Sequence, residues 1–342
     1  MAFMLRIAID GGATKTVAAV YDGKKIISLG VSGPSNYRNI GIYRAIFNIN
    51  KAIAYALKIS NLNNSEIDEY TFAIAGVKDS DKSTEIVNNI VKKISGNKNY
   101  NLFNDGEAGY FSRFLNNEGI VLAPGTGMIS YGKYNNKVER SSGWGWLIGD
   151  EGGGFYIGKM ALQKFAQIED LRDIRDSELD VMIKQKFKIE NGRDLVNLVY
   201  KDKINIREIA GLSVIVSELA NKNDPIAKDI ILNAAYEAAK CAISLNRKLK
   251  FENVTISGYG GVYRSGNLYW DNLKSNVLNE IDNAEFLNPI YGYHAVAGSI
   301  LLSLAEANIP INENDRDDII SQIDKHINKL PEQIKQNYLY FK

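Results

Sequence analysis

Two stretches of this chain follow one plan, and that repetition limits the available folds more than any other feature. Residues 5–22, LRIAIDGGATKTVAAVYD, run as a buried strand ending in Asp10, a Gly-Gly pair, Thr14-Lys15-Thr16 and a second apolar strand. Residues 119–134, GIVLAPGTGMISYGKY, again read strand, glycine turn, strand, with Gly125-Thr126-Gly127 at the turn. A third strand follows each hairpin, KKIISLGVSG in the first case and KVERSSG in the second. Glycine lets main-chain N–H groups approach an anion with no Cβ in the way, and the Thr and Lys side chains add donors. Taken alone, DGG also fits an ordinary glycine hairpin. The duplication points further, to two related α/β lobes that face each other, each lending one anion-binding turn to a triphosphate held in the cleft between them.

Composition narrows the function. A chain of 342 residues suits two domains of ordinary size. Its 41 Lys and Arg nearly balance 40 Asp and Glu, for a net charge of +1. Nothing here favours a nucleic-acid groove or a polybasic membrane surface, so any anion is bound locally. The single Cys241 excludes a disulfide framework, a thiolate zinc site or an iron–sulfur cluster built within one chain. MAFMLRIAID runs straight into the first strand without the pattern of a secretion signal, and no apolar run is long enough to span a membrane. A soluble cytoplasmic protein is expected.

Several segments between the hairpins carry candidate chemistry. Asn36, in the loop SNYRNIGIY, can donate to and accept from a polar ligand, or it can form an Asx turn. YNLFNDGEAGYFSRF reads as a strand ending at Asn104-Asp105 before a helix. A carboxylate at the carboxyl end of a strand in an α/β sheet stands where such sheets bind ligands, which makes Asp105 a candidate catalytic base. Capping of the next helix is the alternative. GWGWLIGDEGGG joins Trp144 and Trp146 to Asp150 and dense glycine. Indole and carboxylate together suit a carbohydrate, although either Trp could be core.

Residues 155–250 read as successive helices. The longest follows Asp224-Pro225 and carries Cys241 on an apolar stripe, which suits packing rather than a nucleophile. A third glycine turn, Gly258, Gly260 and Gly261 in ISGYGGV, could lay a flat heterocycle against backbone or could be purely structural. The tail 312–342 reads as charged and helical, too polar to form core, lying back across the first lobe. His294 and His326 occur in separate settings that do not suggest a metal pair. No G-x-x-x-x-G-K-[ST] or G-x-S-x-G is present, so neither a P-loop nor a hydrolase elbow is supported.

With DGGATKT, NDGEAG, APGTG, GWGWLIGDEGGG and ISGYGGV in this order, the chain resembles the superfamily of sugar kinases, heat-shock chaperone ATPases and actin. Within it the chain is most similar to the N-acetylglucosamine kinase and BadF/BadG/BcrA/BcrD ATPase group, over about residues 5–305. The resemblance implies two ribonuclease H-like, actin-like ATPase lobes with a central cleft: residues 1–116, with the tail 310–342 packed on them, and residues 117–309 with a helical insertion. It implies ATP and Mg²⁺ as cofactors, a small-molecule sugar as substrate and a homodimer. By the same likeness, Asp10 lies near the metal, and Gly11, Gly12, Thr14 and Lys15 near the γ-phosphate. Gly125, Thr126 and Gly127 match the second phosphate motif, and Gly258, Gly260 and Gly261 the adenosine motif. Asp105 matches the base, and Asn36, Trp144, Gly145 and Asp150 fall where the amino-sugar kinases contact their sugar. One departure is Met128, where a serine is common. Arg38 is a further candidate, able to face the carboxylate of an acid sugar such as 2-keto-3-deoxygluconate. A rival reading, the activator ATPase of a 2-hydroxyacyl-CoA dehydratase, requires more cysteines per subunit than the single Cys241.

Overall fold

The computed structural model describes residues 4–200 and 205–339. The described residues divide into two compact units, one formed by residues 4–117 and 293–339, the other by the described residues of Glu118–Gly292. The first carries β1 (Leu5–Gly11), β2 (Thr16–Asp22), β3 (Lys25–Ser32), β4 (Glu69–Ile74) and β5 (Asn99–Phe103) in the order β3-β2-β1-β4-β5. The second carries β6 (Gly119–Pro124), β7 (Met128–Tyr134), β8 (Lys137–Ser142), β9 (Val254–Gly258) and β10 (Ala284–Phe286) in the order β10-β9-β6-β7-β8. The two sheets share one topology, read from opposite ends. In each, three antiparallel strands are extended by two parallel ones on the far side of the first strand. The duplicated hairpin of the sequence is thus the seed of a duplicated five-stranded sheet.

Burial explains the strand composition. Residues Ile7, Ala8 and Ile9 of β1 and Val17 to Tyr21 of β2 are fully enclosed, because helices cover both faces of the sheet. One face meets the helix Ile42–Ser60, whose Ala45, Ile49, Ala52, Ile53 and Ala56 recur at helical spacing. Gly30 in β3 allows this helix to lie very close, since a side chain there would enter the backbone of Ala52 and Ala56. The opposite face meets the helix Ala295–Glu306, whose residues 295–304 are all buried. The sequence reading assigned this helix to the second lobe, and the structure places it in the first unit. Gly298 is the reason. A Cβ there would collide with the carbonyl of Ala108, so this helix and the helix Asp105–Phe114 touch backbone to backbone. Ser299 Oγ also donates to Ile9 O across 3.3 Å, fixing the same helix to β1.

The tail corrects a second expectation. Ile319, Ile323 and Ile327 of the helix Glu313–Asn328 are fully buried in one cluster with Leu29, Val31 and Ile300, so this charged helix does form core. Most of its charges lie on the other faces, the buried Arg316 donates to Arg113 O at 2.7 Å, and each enclosed isoleucine contributes roughly 1.5–3 kcal/mol. Residues 340–342 of that tail lie outside the described residues.

In the second unit, helices Gly154–Glu169, Leu179–Phe187, Asp194–Tyr200, Ile206–Asn221 and Pro225–Leu249 lie between β8 and β9 in the chain. Asp224 caps the last of these, with Oδ1 accepting from the Ala227 N–H at 2.9 Å, and Pro225 stands at the first helical position, where its missing N–H costs nothing. The stripe Ile226, Ile230, Ala234, Ala238 and Leu245 fills this unit's core. Cys241 lies on it, and burial pushes its thiol up to about 11, which suits packing and not attack.

Candidate active site

In the first unit, parallel pairing brings the carboxyl ends of β1, β4 and β5 to one edge. Asp10 pairs in register with Ala73, and Ala73 with Phe103, so Asp10 and the Asn104-Asp105 pair leave the sheet at the same end. Between β1 and β2 the turn closes through a Gly12 N–H to Lys15 O bond of 3.1 Å, with Thr14 and Lys15 half-exposed. Gly11 has no room for a side chain, because a Cβ would run into Ser35 Oγ and stand 2.6 Å from Ile74 Cδ1. Gly12 O accepts from the N–H groups of Ser35 and Asn36, at 3.0 and 3.2 Å, which fastens the Asn36 loop to the turn. A Cβ on Gly12 would lie 3.7 Å from Asp105 Oδ2, so Asp105 and the glycine turn stand side by side.

Asp105 is the first residue of its helix, with Asn104 as the cap. Asn104 Oδ1 accepts from Gly106 N–H at 2.8 Å, while its Nδ2 donates to Val77 O at 2.6 Å. Asn104 therefore does the capping that had been the alternative role for Asp105. Burial, reinforced by the charge of Asp10, pushes the Asp105 carboxyl up to about 7, against the Gly106 N–H that favours its ionised form. Asp10 is 5% exposed, and burial lifts it to about 6 even though Lys15 opposes the shift. A buried Asp10 beside a half-buried Asp105, whose charges repel, suits a site that receives a cation.

Among the described residues no group of three or more His, Cys, Asp or Glu could form a metal cage. The donor set thus fits a magnesium ion held by one carboxylate, water and substrate phosphates rather than by protein alone. His294 bonds Asp324 and His326 bonds Ile26 O, each within the packing of the tail.

Asn36 caps a short helix with Oδ1, accepting from Arg38 N–H at 3.1 Å, which leaves its amide N–H groups and one acceptor position for a ligand. Arg38 pairs with Asp79 at 2.9 Å, so its charge is already engaged. Neither Ser35 nor Asp79 stood out in the sequence. Ser35 is 1% exposed with an unpartnered hydroxyl against Gly11, and Asp79 helps to raise Asp105. No periodicity marks either residue, since both act across the chain. Adjacency to Asn36 in GPSN was the only available hint of Ser35.

In the second unit the GTG turn is built against the start of a helix. Gly154 N–H donates to Gly125 O and Phe155 N–H to Thr126 O, both at 2.8 Å. Gly153 is required because a Cβ would strike Gly127 O. Thr126 Oγ1 is buried without a protein partner, and Gly125 faces open space. The Met128 side chain is fully enclosed in the core, so the departure at this position is a packing residue. Trp144 is 69% exposed, and Trp146, also exposed, packs against Phe155 with ring centroids 5.3 Å apart. Core burial of the indoles is thereby excluded. Gly145 lies at φ 93°, and its N–H donates to Asp150 Oδ1 at 3.1 Å.

In the third turn the glycines differ. A Cβ on Gly258 would meet Tyr263 and Leu122 O, and one on Gly260 would meet Pro124 O, whereas Gly261 has open space. Packing accounts for the first two, and only the third is free to face a ligand.

With this geometry in place, comparison with known proteins is decisive for the family. Residues 7–303 match the BadF/BadG/BcrA/BcrD ATPase family. The chain belongs to that family. It is 27% identical over 277 residues to an N-acetylmuramic acid/N-acetylglucosamine kinase of Clostridium acetobutylicum, covering 78% of this chain and 88% of that one. It is 30% identical over 300 residues to an N-acetyl-D-glucosamine kinase of Dictyostelium discoideum, covering 82% and 92%.

Among solved structures, one from Chromobacterium violaceum, described as a candidate N-acetylglucosamine kinase, superposes with a TM-score of 0.70 at 19% identity, over 88% of this chain and 99% of that one. A ROK family glucokinase from Streptomyces griseus, solved with glucose and AMPPNP, gives 0.56 at 18%, over 88% and 99%. At these identities the structural likeness speaks for the fold, the α/β architecture of the actin-like sugar kinases. No described helix is long and apolar enough to cross a membrane.

Proposed function

We propose that this family member transfers the γ-phosphate of ATP to a hydroxyl of a hexose or amino sugar, with an N-acetylglucosamine-like sugar favoured. One observation carries the reading most: a carboxyl lifted to about 7 stands beside a glycine turn at the carboxyl end of the sheet. A base poised near neutral pH can take a hydroxyl proton as the oxygen attacks, without being protonated throughout the cycle. In this reaction Asp105 accepts the sugar hydroxyl proton, the new bond joins that oxygen to the γ-phosphorus, and ADP leaves. The Thr14 hydroxyl and the Lys15 ammonium of the first turn, both half-exposed, offset charge on the transferring phosphoryl group, and Gly125–Gly127 is read as a nucleotide-binding turn by its likeness to the second phosphate motif. Mg²⁺, for which Asp10 is the fitting carboxylate, would neutralise phosphate charge when bound.

The exposed Trp144 indole supports a carbohydrate acceptor, because flat aromatic carbon covers a sugar face. The two relatives named for amino-sugar kinases favour N-acetylglucosamine among such acceptors. An acid sugar such as 2-keto-3-deoxygluconate is less favoured, because the Arg38 guanidinium it would need is paired with Asp79. A cytoplasmic homodimer, checked by sedimentation velocity, completes the proposal. The functional test is coupled ATP consumption with N-acetylglucosamine, N-acetylmannosamine, glucosamine, glucose and 2-keto-3-deoxygluconate. Turnover with N-acetylglucosamine above the rest is expected, and ATP consumption that no sugar stimulates would refute the kinase reading.

A further inference from the structure

Asp150 is held in a way that gives it a task beyond touching a sugar. Its backbone lies at φ 62°, in the left-handed region, which Asp enters more readily than most residues with a side chain. One carboxylate oxygen accepts from Gly145 N–H at 3.1 Å, and the nearby Met128 N–H also favours the ionised form of this carboxylate. The other oxygen, Oδ2, fills the space that a Cβ on Gly127 would need. This carboxylate therefore spans from the indole loop, at Gly145, to Gly127 of the phosphate turn. The far side of the turn is fixed separately by the N–H groups of Gly154 and Phe155. Without Asp150, the Gly127-Met128 half would lose its side-chain anchor while the Gly125-Thr126 half kept its own.

We propose that Asp150 is a positioning residue that clasps the second phosphate turn to the indole loop, so that it sets nucleotide affinity even when no sugar is bound. The inference rests on reading Gly125–Gly127 as a nucleotide-binding turn. It explains why glycine stands at 127 although φ there is not in the left-handed region: the side chain missing from Gly127 is replaced by the carboxylate of Asp150. The carboxylate is partly desolvated, and burial raises its pKa against the pull of the two N–H donors. An asparagine can keep one acceptor oxygen in this site, and an alanine keeps none.

The experiment measures binding of ADP with Mg²⁺ to the full chain by calorimetry, without sugar, for the wild type, Asp150→Ala and Asp150→Asn, each checked for a cooperative unfolding transition. The expected result is at least a tenfold weaker Kd for Asp150→Ala, with the loss partly recovered in Asp150→Asn. In steady-state assays the KM values for ATP and sugar should rise together. A sugar KM that rises while the sugar-free ADP Kd stays at the wild-type value would overturn the clasp and leave Asp150 a sugar ligand only.

Should Asp150→Ala not fold, hydrogen exchange on the wild type decides the matter. ADP with Mg²⁺ alone should slow exchange in residues 143–149 as well as in 125–128, and protection confined to 125–128 overturns the proposal. A wild type that binds no nucleotide would instead refute the kinase reading on which the clasp depends.

Discussion

Replacing Asp105 by asparagine should make the protein slower and more stable at once. Folding lifts this carboxyl from 3.8 to about 7, chiefly by burial and then by the charge of Asp10. The folded value lies above the unfolded one, so the contribution to stability is full below about pH 3.8 and is lost as pH climbs through about 7. At roughly 1.4 kcal/mol per pH unit between the two values, ionisation costs the folded state about 4 kcal/mol at pH 8 and about 1.5 kcal/mol at pH 5. The substituted amide has no charge to desolvate and can still accept from Gly106 N–H, so it escapes that cost.

For a unit of this size about 1 kcal/mol moves Tm by roughly 2–4 °C, which places the gain at pH 8 on the order of 10 °C, with well under half of it at pH 5. The same substitution removes the base, and kcat should fall about 10²- to 10⁴-fold. Thermal unfolding of both proteins at pH 5 and pH 8, without magnesium or nucleotide, and a coupled kinase assay measure the two effects. A Tm gain equal at both pH values would show that the carboxyl is not ionising at a cost, and a kcat within threefold of wild type would remove Asp105 from the chemistry.

Two further substitutions separate binding from folding. Gly260→Ala drives a Cβ into Pro124 O and should cost roughly 1–3 kcal/mol in a denaturant melt. Gly261→Ala meets open space and should leave stability within about 0.5 kcal/mol while raising the KM for ATP. If the nucleotide KM does not respond to Gly261→Ala, this turn does not face the adenosine. Trp144→Ala should leave Tm unchanged, because the indole is exposed, and should raise the sugar KM several-fold, in keeping with the ~1 kcal/mol of an aromatic contact. An unaltered sugar KM would take the indole out of the acceptor site.

The local half of this protein was legible in its sequence. Strand–turn–strand repeats at residues 5–22 and 119–134 announced two like sheets, because alternation of apolar runs with glycine turns is a short-range property of the chain. The same holds for Asp10 and Asp105, which end strands and are followed by residues that open a turn or a helix. What the pattern could not reveal depends on which backbone approaches which. Gly298 looked like any small residue in an apolar helix, yet its contact with Ala108 joins that helix to the Asp105 helix of the first unit, and Ser299 ties it to β1. The tail looked too charged for core because its three enclosed isoleucines are diluted among acids and lysines that face elsewhere.

For the sites, residue type marked where chemistry is available, and tertiary structure decided how much of it is free. Asn36 spends one acceptor position of Oδ1 on a helix cap, and Arg38 is paired with Asp79. Gly258 and Gly260 are consumed by packing, and Asp150 is bound to two loops. The lifted pKa of Asp10 arises from burial, and that of Asp105 from burial and then the charge of Asp10, conditions that exist only once strands distant in sequence lie in one sheet. Order along the chain set the kinds of group present; through-space desolvation and close backbone approach, which no linear pattern encodes, set what those groups can do.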